Sequence, residues 1–275
     1  MKADIDEMAE YFSQISFDIL DAHRTVVEPG KKQLDTYTAP ASGLVFPLRG
    51  RARMTFDGVT YEMEPGRVFH AGPRMTLDKE VVGDTEWEFI LVHYQVSDSD
   101  KHVFPHSSSH YELEPGYNPH ISELLKKFHH TSTMSGSLQS LRAKSLFFTI
   151  MDEVLTCYGK RRNEDSRELV EQAMEYMNAH YMEPLTMPSL AELYGLSSKQ
   201  LAYLFQKYAG MSPNAYLIEQ RVNHARELLC TTACSVTEVS AYVGYSDPYY
   251  FSKLFKKRTG VCPSTLQRCF EKNTG

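Results

Sequence analysis

The sequence has no apolar run near the ~20 residues that a bilayer-spanning helix requires. Its opening, MKADIDEMAEYF, is too acidic for a secretory leader, so a cytoplasmic protein is expected. Cysteine is sparse and odd in number. Cys157, Cys230, Cys234, Cys262 and Cys269 fit a reduced compartment rather than a disulfide framework. Cys230 and Cys234 stand four apart, Cys262 and Cys269 seven apart, and neither pair has the partners of a zinc site. All five read as small buried hydrophobes. No Ser-His-Asp or Cys-His set, phosphate loop or carboxylate pair stands out. An enzyme, a cofactor and a resident metal are therefore not expected.

Also missing is an even spread of charge. The chain carries 29 Lys and Arg against 35 Asp and Glu, a net of −6. Residues 196–275 hold ten basic and five acidic side chains, a net of +5, which leaves 19 against 30, a net of −11, for the rest. An acidic body joined to a basic end suits a protein that lays only its C-terminal part on nucleic acid. The excess is modest, which argues against tight sequence-independent binding. With 275 residues, 42% of them hydrophobic, two packed domains are expected.

What is present is concentrated near the C-terminus, in VGYSDPYYFSKLFKKRTGVCP, Val243 to Pro263. Gly244 can take the positive φ of a tight turn. Asp247 is a good N-cap and Pro248 falls at the first helical position, where a missing N–H costs nothing. Phe251, Leu254 and Phe255 share one helix face; Tyr249, Ser252, Lys253 and Lys256 share the other. Gly260 and Pro263 end the element. The design occurs once before. Ser197, Leu201, Leu204, Phe205, Lys207, Gly210 and Pro213 match Asp247, Phe251, Leu254, Phe255, Lys257, Gly260 and Pro263 at an offset of 50. Thr186, Leu190, Ala191 and Gly195 match Ser235, Val239, Ser240 and Gly244 at an offset of 49, so the second turn is one residue longer. Two tandem helix-turn-helix units, about 186–208 and 235–258, explain the repeat.

This repeat resembles the AraC/XylS family of transcription regulators. Gly244-Tyr245-Ser246-Asp247, Tyr250-Phe251-Ser252-Lys253, Phe255-Lys256-Lys257 and Gly260 look like the family's signature segment, and the match runs from near Glu168 to Arg268. Ser240 departs from the usual Ala, Cys262 from the usual Ser, and Leu266-Gln267 from the common Tyr-Arg. The resemblance implies double-stranded DNA as a partner, and RNA polymerase as well if the protein activates, the family's commoner habit. With Leu201, Leu204 and Phe205 turned inward, Lys199, Gln200, Ala202, Tyr203 and Gln206 are left to read bases; Tyr249, Tyr250, Ser252 and Lys253 hold the corresponding places. Arg221, Lys256, Lys257 and Arg258 are expected at phosphates. A long helix from Asn214 to Cys230 would join the units and set the reading helices about 34 Å apart.

The N-terminal part reads differently. After a short helix around Glu7 to Gln14, the segments GLVFPLRG, RARMTF, VTYEMEP, RVFHAG and EWEFILVHYQV alternate or run apolar between turns. They predict a small antiparallel barrel or jelly roll. Gly58, Pro65-Gly66 and His70 resemble the later half of a cupin motif; the earlier His-x-His and Glu are missing, so His70 and His93 alone do not make a metal site. A barrel of this kind would hold a small-molecule effector, a sugar among the candidates. Arg49, Arg51, Arg53, His70, Arg74, His93 and Tyr94 are the polar groups that could converge there, two or three of them at most. His102, His106 and His110 fall in a Pro- and Ser-rich stretch that reads as a loop, not a metal helix.

Two helices follow. On the second, Leu138, Leu141, Ser145, Phe148, Asp152 and Leu155 lie near one line, flanked by further apolar residues, which suits either burial on two sides in a homodimer or complete burial in a monomer. The expected fold class is α+β: a cupin-like antiparallel barrel over 1–116, a helical dimerisation segment over 117–158, a charged linker over 159–166 and an all-α DNA-binding domain over 167–275. The expected function is an effector-controlled, sequence-specific transcription regulator. Two rivals are a metal-dependent cupin enzyme with a DNA-binding tail and a regulator whose barrel binds a protein partner.

Overall fold

The computed structural model describes residues 4–97, Asp100 and 105–274. The chain divides into two compact units, Met1–Asn163 and Glu164–Gly275.

The first unit opens with helix α1 (Ile5–Gln14). The Asp4 carboxylate caps it, accepting from the N–H groups of Asp6 and Glu7, and Met8, Tyr11 and Phe12 form its buried stripe at i, i+3, i+4 spacing. Among the described residues nine strands follow: β1 (Phe17–Val27), β2 (Lys32–Tyr37), β3 (Ser42–Arg49), β4 (Arg51–Phe56), β5 (Val59–Met63), β6 (Val68–Ala71), β7 (Thr76–Val82), β8 (Trp87–Val96) and β9 (Tyr111–Leu113). They pair antiparallel as two sheets, in the orders β1-β8-β3-β6-β9 and β2-β7-β4-β5. The expected closed barrel does not form. Successive strands are dealt to different sheets, and among the described residues no ladder joins one sheet to the other, so each keeps two edges.

Burial explains the strand patterns. The four-stranded sheet has one wet face, so β4 alternates: Ala52, Met54 and Phe56 are buried, Arg51 and Arg53 exposed. The five-stranded sheet is covered on both faces, so β3 reads as a nearly continuous buried run from Ser42 to Pro47. One core lies between the sheets, with Val45, Met54, Phe56, Phe69, Trp87 and Phe89. The other lies on the far face of the five-stranded sheet. There Leu44, Phe46, Ile90 and Val92 meet α1, helix α2 (Pro119–Ser132) and the first part of helix α3 (Ser137–Ala179). Each large side chain buried in this way contributes about 1.5–3 kcal/mol.

Residues 159–166, expected as a linker, are helical throughout, because α3 runs unbroken for 43 residues. The segment is polar, but after Gly159 it contains neither Gly nor Pro, and Lys, Arg and Glu are good helix formers. The boundary between the units falls inside this helix.

The second unit is helical. It takes the end of α3, then α4 (Met187–Leu193), α5 (Ser198–Ala209), α6 (Pro213–Thr231), α7 (Val236–Tyr242), α8 (Pro248–Thr259) and α9 (Pro263–Thr274). No helix among the described residues is long and apolar enough to cross a membrane. Of the cysteines, Cys157, Cys230 and Cys262 are half-buried free thiols and Cys234 is exposed in the turn before α7, so none of these four is the fully buried hydrophobe expected; the side chain of Cys269 lies outside the described residues.

A buried polar chain sits under α1. The hydroxyl of Tyr94 lies 3.0 Å from that of Tyr11 and 2.9 Å from Nε2 of His70, and Nδ1 of His70 lies 2.9 Å from the Ser109 carbonyl. A carbonyl only accepts, so Nδ1 carries the proton and Nε2 accepts from Tyr94. Burial pushes the Tyr11 hydroxyl up to about 12 and holds His70 down at about 3. The unfolded chain takes up a proton at His70 near its ordinary pKa of about 6.5, the folded chain only near 3. The stability this provides is complete above pH 6.5 and is lost as pH falls towards 3. By pH 5 the loss from this residue is about 2 kcal/mol. Urea unfolding at pH 7 and pH 5 should reveal that loss, and His70→Asn should remove it from the difference; an unchanged difference would contradict the assignment.

Candidate functional site

Each helix-turn-helix is built from local signals. Thr186 and Ser189, Ser197 and Gln200, and Ser235 and Glu238 form reciprocal capping boxes at the starts of α4, α5 and α7. Asp247 caps α8, accepting from the N–H of Tyr249 at 2.8 Å and of Tyr250 at 3.2 Å. Gly210 and Gly260 end α5 and α8 in the left-handed conformation. The two turns share one closing bond. The Leu196 N–H donates to the Ala191 carbonyl at 2.9 Å, and the Tyr245 N–H to the Ser240 carbonyl at 2.9 Å. The extra residue of the second turn comes after this bond. Ser240, which departs from the family pattern, is fully buried, and its hydroxyl donates to the Tyr245 carbonyl at 3.2 Å.

Helix α6 serves both units. Its first half puts Tyr216 and Leu217 into a core with Val170, Ala173, Met177, Leu190, Leu201 and Phe205. Its second half puts Val222, Ala225 and Leu229 into another with Val239, Val243, Phe251 and Phe255. Leu201, Phe205, Phe251 and Phe255 are completely buried, which turns the opposite faces of α5 and α8 outward.

On those faces Lys199, Gln200, Ala202, Tyr203 and Gln206 of α5 are exposed, as are Tyr249, Tyr250 and Lys253 of α8. Tyr249 is 81% exposed and Tyr203 64%, an unusual display for large aromatics without a partner. Three expected readers have local ties. Oε1 of Gln200 accepts from the Ser197 N–H and hydroxyl, Nε2 of Gln206 donates to the Gly210 carbonyl, and half-buried Ser252 donates to the Pro248 carbonyl. Lys256, Lys257 and Arg258 are exposed in the last turn of α8, where cations complement the helix dipole.

Arg221 is a correction. It was expected at a phosphate, yet it is only 9% exposed. Its Nε donates to the Tyr181 carbonyl and its Nη2 to the Glu183 carbonyl, both at 2.7 Å. Its guanidinium also lies 5.1 Å from the centre of the Tyr245 ring. Position on a helix could not reveal this, because a long cationic side chain is usually solvated. Gly244 completes the joint: its φ is +87°, and a Cβ there would lie 2.8 Å from the Met182 carbonyl oxygen and 2.9 Å from Arg221 Nη2.

Of the polar groups proposed for the N-terminal interior, the structure brings few together. Arg49, Arg51, Arg53 and Arg74 are exposed; Arg49 pairs with Glu86 and Arg53 with Glu62. Strand alternation puts Arg51 and Arg53 opposite to buried Ala52 and Met54. His70 and Tyr94 belong to the network under α1, on the far side of the five-stranded sheet. Only His93 lines the cavity of about 230 Å³ between the sheets, with Val45, Met54, Phe56, Lys79, Trp87 and other residues. His93 also lies 2.7 Å from the Asp21 carboxylate, which in turn lies 3.2 Å from Nε2 of His23. These three offer ligand atoms within 4.8 Å of one another and could hold a metal, a grouping missed because Asp21 and His93 meet only through strand register. His102 lies outside the described residues. His106 is buried near Glu7, and His110 lies 2.8 Å from the Tyr61 hydroxyl, so these two do not converge.

The C-terminal geometry defines a paired helix-turn-helix DNA-binding domain. Residues 190–274 match the family model described as a helix-turn-helix domain. The chain is 25% identical over 239 residues to the lactose operon transcription activator of Staphylococcus xylosus, covering 82% of this chain and 83% of that protein. It is 28% identical over 161 residues to the arabinose operon regulatory protein of Escherichia coli, covering 58% of this chain and 55% of that protein, about half its length. Among solved structures, it is 33% identical to the C-terminal domain of AraT, a response regulator from Geobacillus stearothermophilus, over 37% of this chain and 84% of that chain, with a TM-score of 0.36. Residues 190–274 are thus an AraC-type helix-turn-helix domain, and the proteins this chain resembles are DNA-binding transcription regulators. Those relatives are transcription regulators, not enzymes, which speaks against the reading as a cupin enzyme.

Arg221→Ala should lower the unfolding free energy of the C-terminal domain by about 2–4 kcal/mol, because it strands two carbonyls. The salt dependence of DNA binding should keep its slope. A lower slope with unchanged stability would return Arg221 to a phosphate.

Proposed function

We propose that this protein is a cytoplasmic, sequence-specific transcription activator, controlled by a small-molecule effector held between the N-terminal sheets and acting as a homodimer on double-stranded DNA. The observation that carries the reading is the pair of outward faces on α5 and α8, both backed by fully buried Leu or Phe anchors. Lys199, Gln200, Ala202, Tyr203 and Gln206, with Tyr249, Tyr250, Ser252 and Lys253, would read bases; Lys256, Lys257 and Arg258 would hold phosphates. As an activator it would contact RNA polymerase. Residues 1–116 would form the effector domain with a cupin-like arrangement of strands, and 167–275 the DNA-binding domain. Effector binding would favour one arrangement of the whole protein and so shift DNA affinity by the coupling free energy. The relatives named for lactose and arabinose operons suggest a sugar as the effector class.

Residues 117–158 would dimerise. Leu138, Leu141, Ser145, Phe148 and Asp152 are all exposed along α3 at alternating spacings of three and four, a heptad seam, while Phe147, Ile150, Met151 and Val154 are buried behind them. Leu138, Leu141 and Phe148, 56%, 65% and 44% exposed, make a continuous apolar line that a second copy of the helix would cover. Leu141→Glu should convert the dimer to a monomer in sedimentation equilibrium without lowering the melting temperature; an unchanged oligomer would remove this surface.

The base-reading role is tested at Lys253. Lys253→Ala should weaken binding to the cognate site by about 1–3 kcal/mol and leave random DNA nearly unaffected. Equal weakening on both would make Lys253 a phosphate contact.

A further inference from the structure

One inward-facing position of the sandwich carries a charge. In β7 the residues Leu77, Lys79 and Val81 alternate with Asp78 and Glu80, and in register they face Phe56, Met54 and Ala52 of β4, all buried. Lys79 therefore points into the space between the sheets, where it lines the cavity beside Leu77 and Met54. The neighbouring carboxylates are engaged elsewhere: Glu80 pairs with Lys32 at 2.6 Å, and Asp78 accepts from the Asp35 N–H. Among the described residues Lys79 has no ion-pair partner, and burial alone depresses its pKa. Lys79 is half-buried, so its ammonium is partly desolvated and has no counter-charge beside it.

A second orphan lies on the same cavity. Trp87 is 1% exposed, and its indole N–H has no hydrogen-bond partner among the described residues. Lys79 and Trp87 also both line an adjoining, more polar cleft of about 420 Å³. The remaining polar groups of the cavity are largely spent. The Thr38 hydroxyl donates to the Gly72 carbonyl and accepts from the Met75 N–H, both at 2.8 Å. Nδ1 of His93 is held by Asp21. What is left is a half-buried cation with no ion-pair partner among the described residues and a buried neutral donor with no hydrogen-bond partner, beside apolar walls.

We propose that the cavity between the sheets takes a small monocarboxylic acid with an apolar body, its carboxylate accepting from the Lys79 ammonium and the Trp87 N–H. The proposal rests on the effector reading above and departs from it in class: a neutral sugar needs several donors and acceptors around its ring, and this cavity has few to give. A carboxylate supplies both the missing charge and an acceptor for the orphan donor. A body of aromatic or branched aliphatic carbon suits the walls, and about 230 Å³ limits it to a small molecule.

Trp87 is the only tryptophan of the chain, so its emission reports this cavity directly. The full-length protein at pH 7 should be titrated with benzoate, phenylacetate and hexanoate, with the corresponding amides, and with neutral mono- and disaccharides, following fluorescence and melting temperature. At least one acid should give a saturable change in emission and raise the melting temperature. Its amide should bind roughly 10- to 100-fold more weakly, and Lys79→Met should lose the acid by a similar factor. The acid-amide comparison uses the native protein and stands even if the variant misfolds. Equal binding of acid and amide, acid binding indifferent to Lys79→Met, or binding of sugars alone would overturn the acid class and leave a small-molecule effector in place. If no compound alters emission or melting temperature, the effector reading fails with it.

Discussion

The DNA-binding half depends on one joint, the guanidinium of Arg221. It leaves α6 near its middle, bonds to the Tyr181 and Glu183 carbonyls ahead of the first helix-turn-helix, and lies against Tyr245 in the turn of the second. His224, three residues on, stacks on Tyr181 with ring centres 4.1 Å apart. Two hydrophobic cores, one on each half of α6, then become one body. A buried cation bonded to backbone carbonyls costs desolvation, and the aromatic face and two charge-assisted bonds offset it. The return is geometric: α5 and α8 are carried by one rigid helix of 19 residues, about 28 Å long at 1.5 Å per residue.

The N-terminal half follows a different logic. The central strand β3 of its five-stranded sheet is buried on both faces, and the buried polar side chains around it are networked or aimed at a cavity. His70 and Tyr94 are of the first kind and contribute to fold and pH response. Trp87 and His93 are of the second, and Lys79 meets them from β7 of the facing sheet. Adjacent positions on one strand, His93 and Tyr94, have opposite fates because side chains alternate across a sheet.

Much of this was legible in the sequence. Caps, turn glycines and apolar spacing located every helix of the repeat, because each signal is local and each acts on its own backbone. The strands that alternate cleanly, β4 above all, were equally readable. β7 was not, since the lysine at the centre of its inward face breaks the pattern that would reveal it. The same residue is the one that gives the cavity its chemistry. The arginines favoured for that cavity failed for a related reason: composition marks polar residues, but only register says which face they occupy. Arg221 was misread because burial of a cation is decided by carbonyls about forty residues away in sequence. The linker expected over 159–166 does contain the boundary between the two units, and the structure adds that the chain crosses it as helix, which its residues favour.

The central claim is that two reading helices on one rigid mount engage the duplex together. Hydroxyl-radical footprinting of the full-length protein on its target site tests it most directly. The account predicts two protected patches on one face of the DNA, about 10–10.5 base pairs apart, one lost on alanine replacement along the α5 face and the other along α8. A single patch that survives replacement of the α5 face would contradict it.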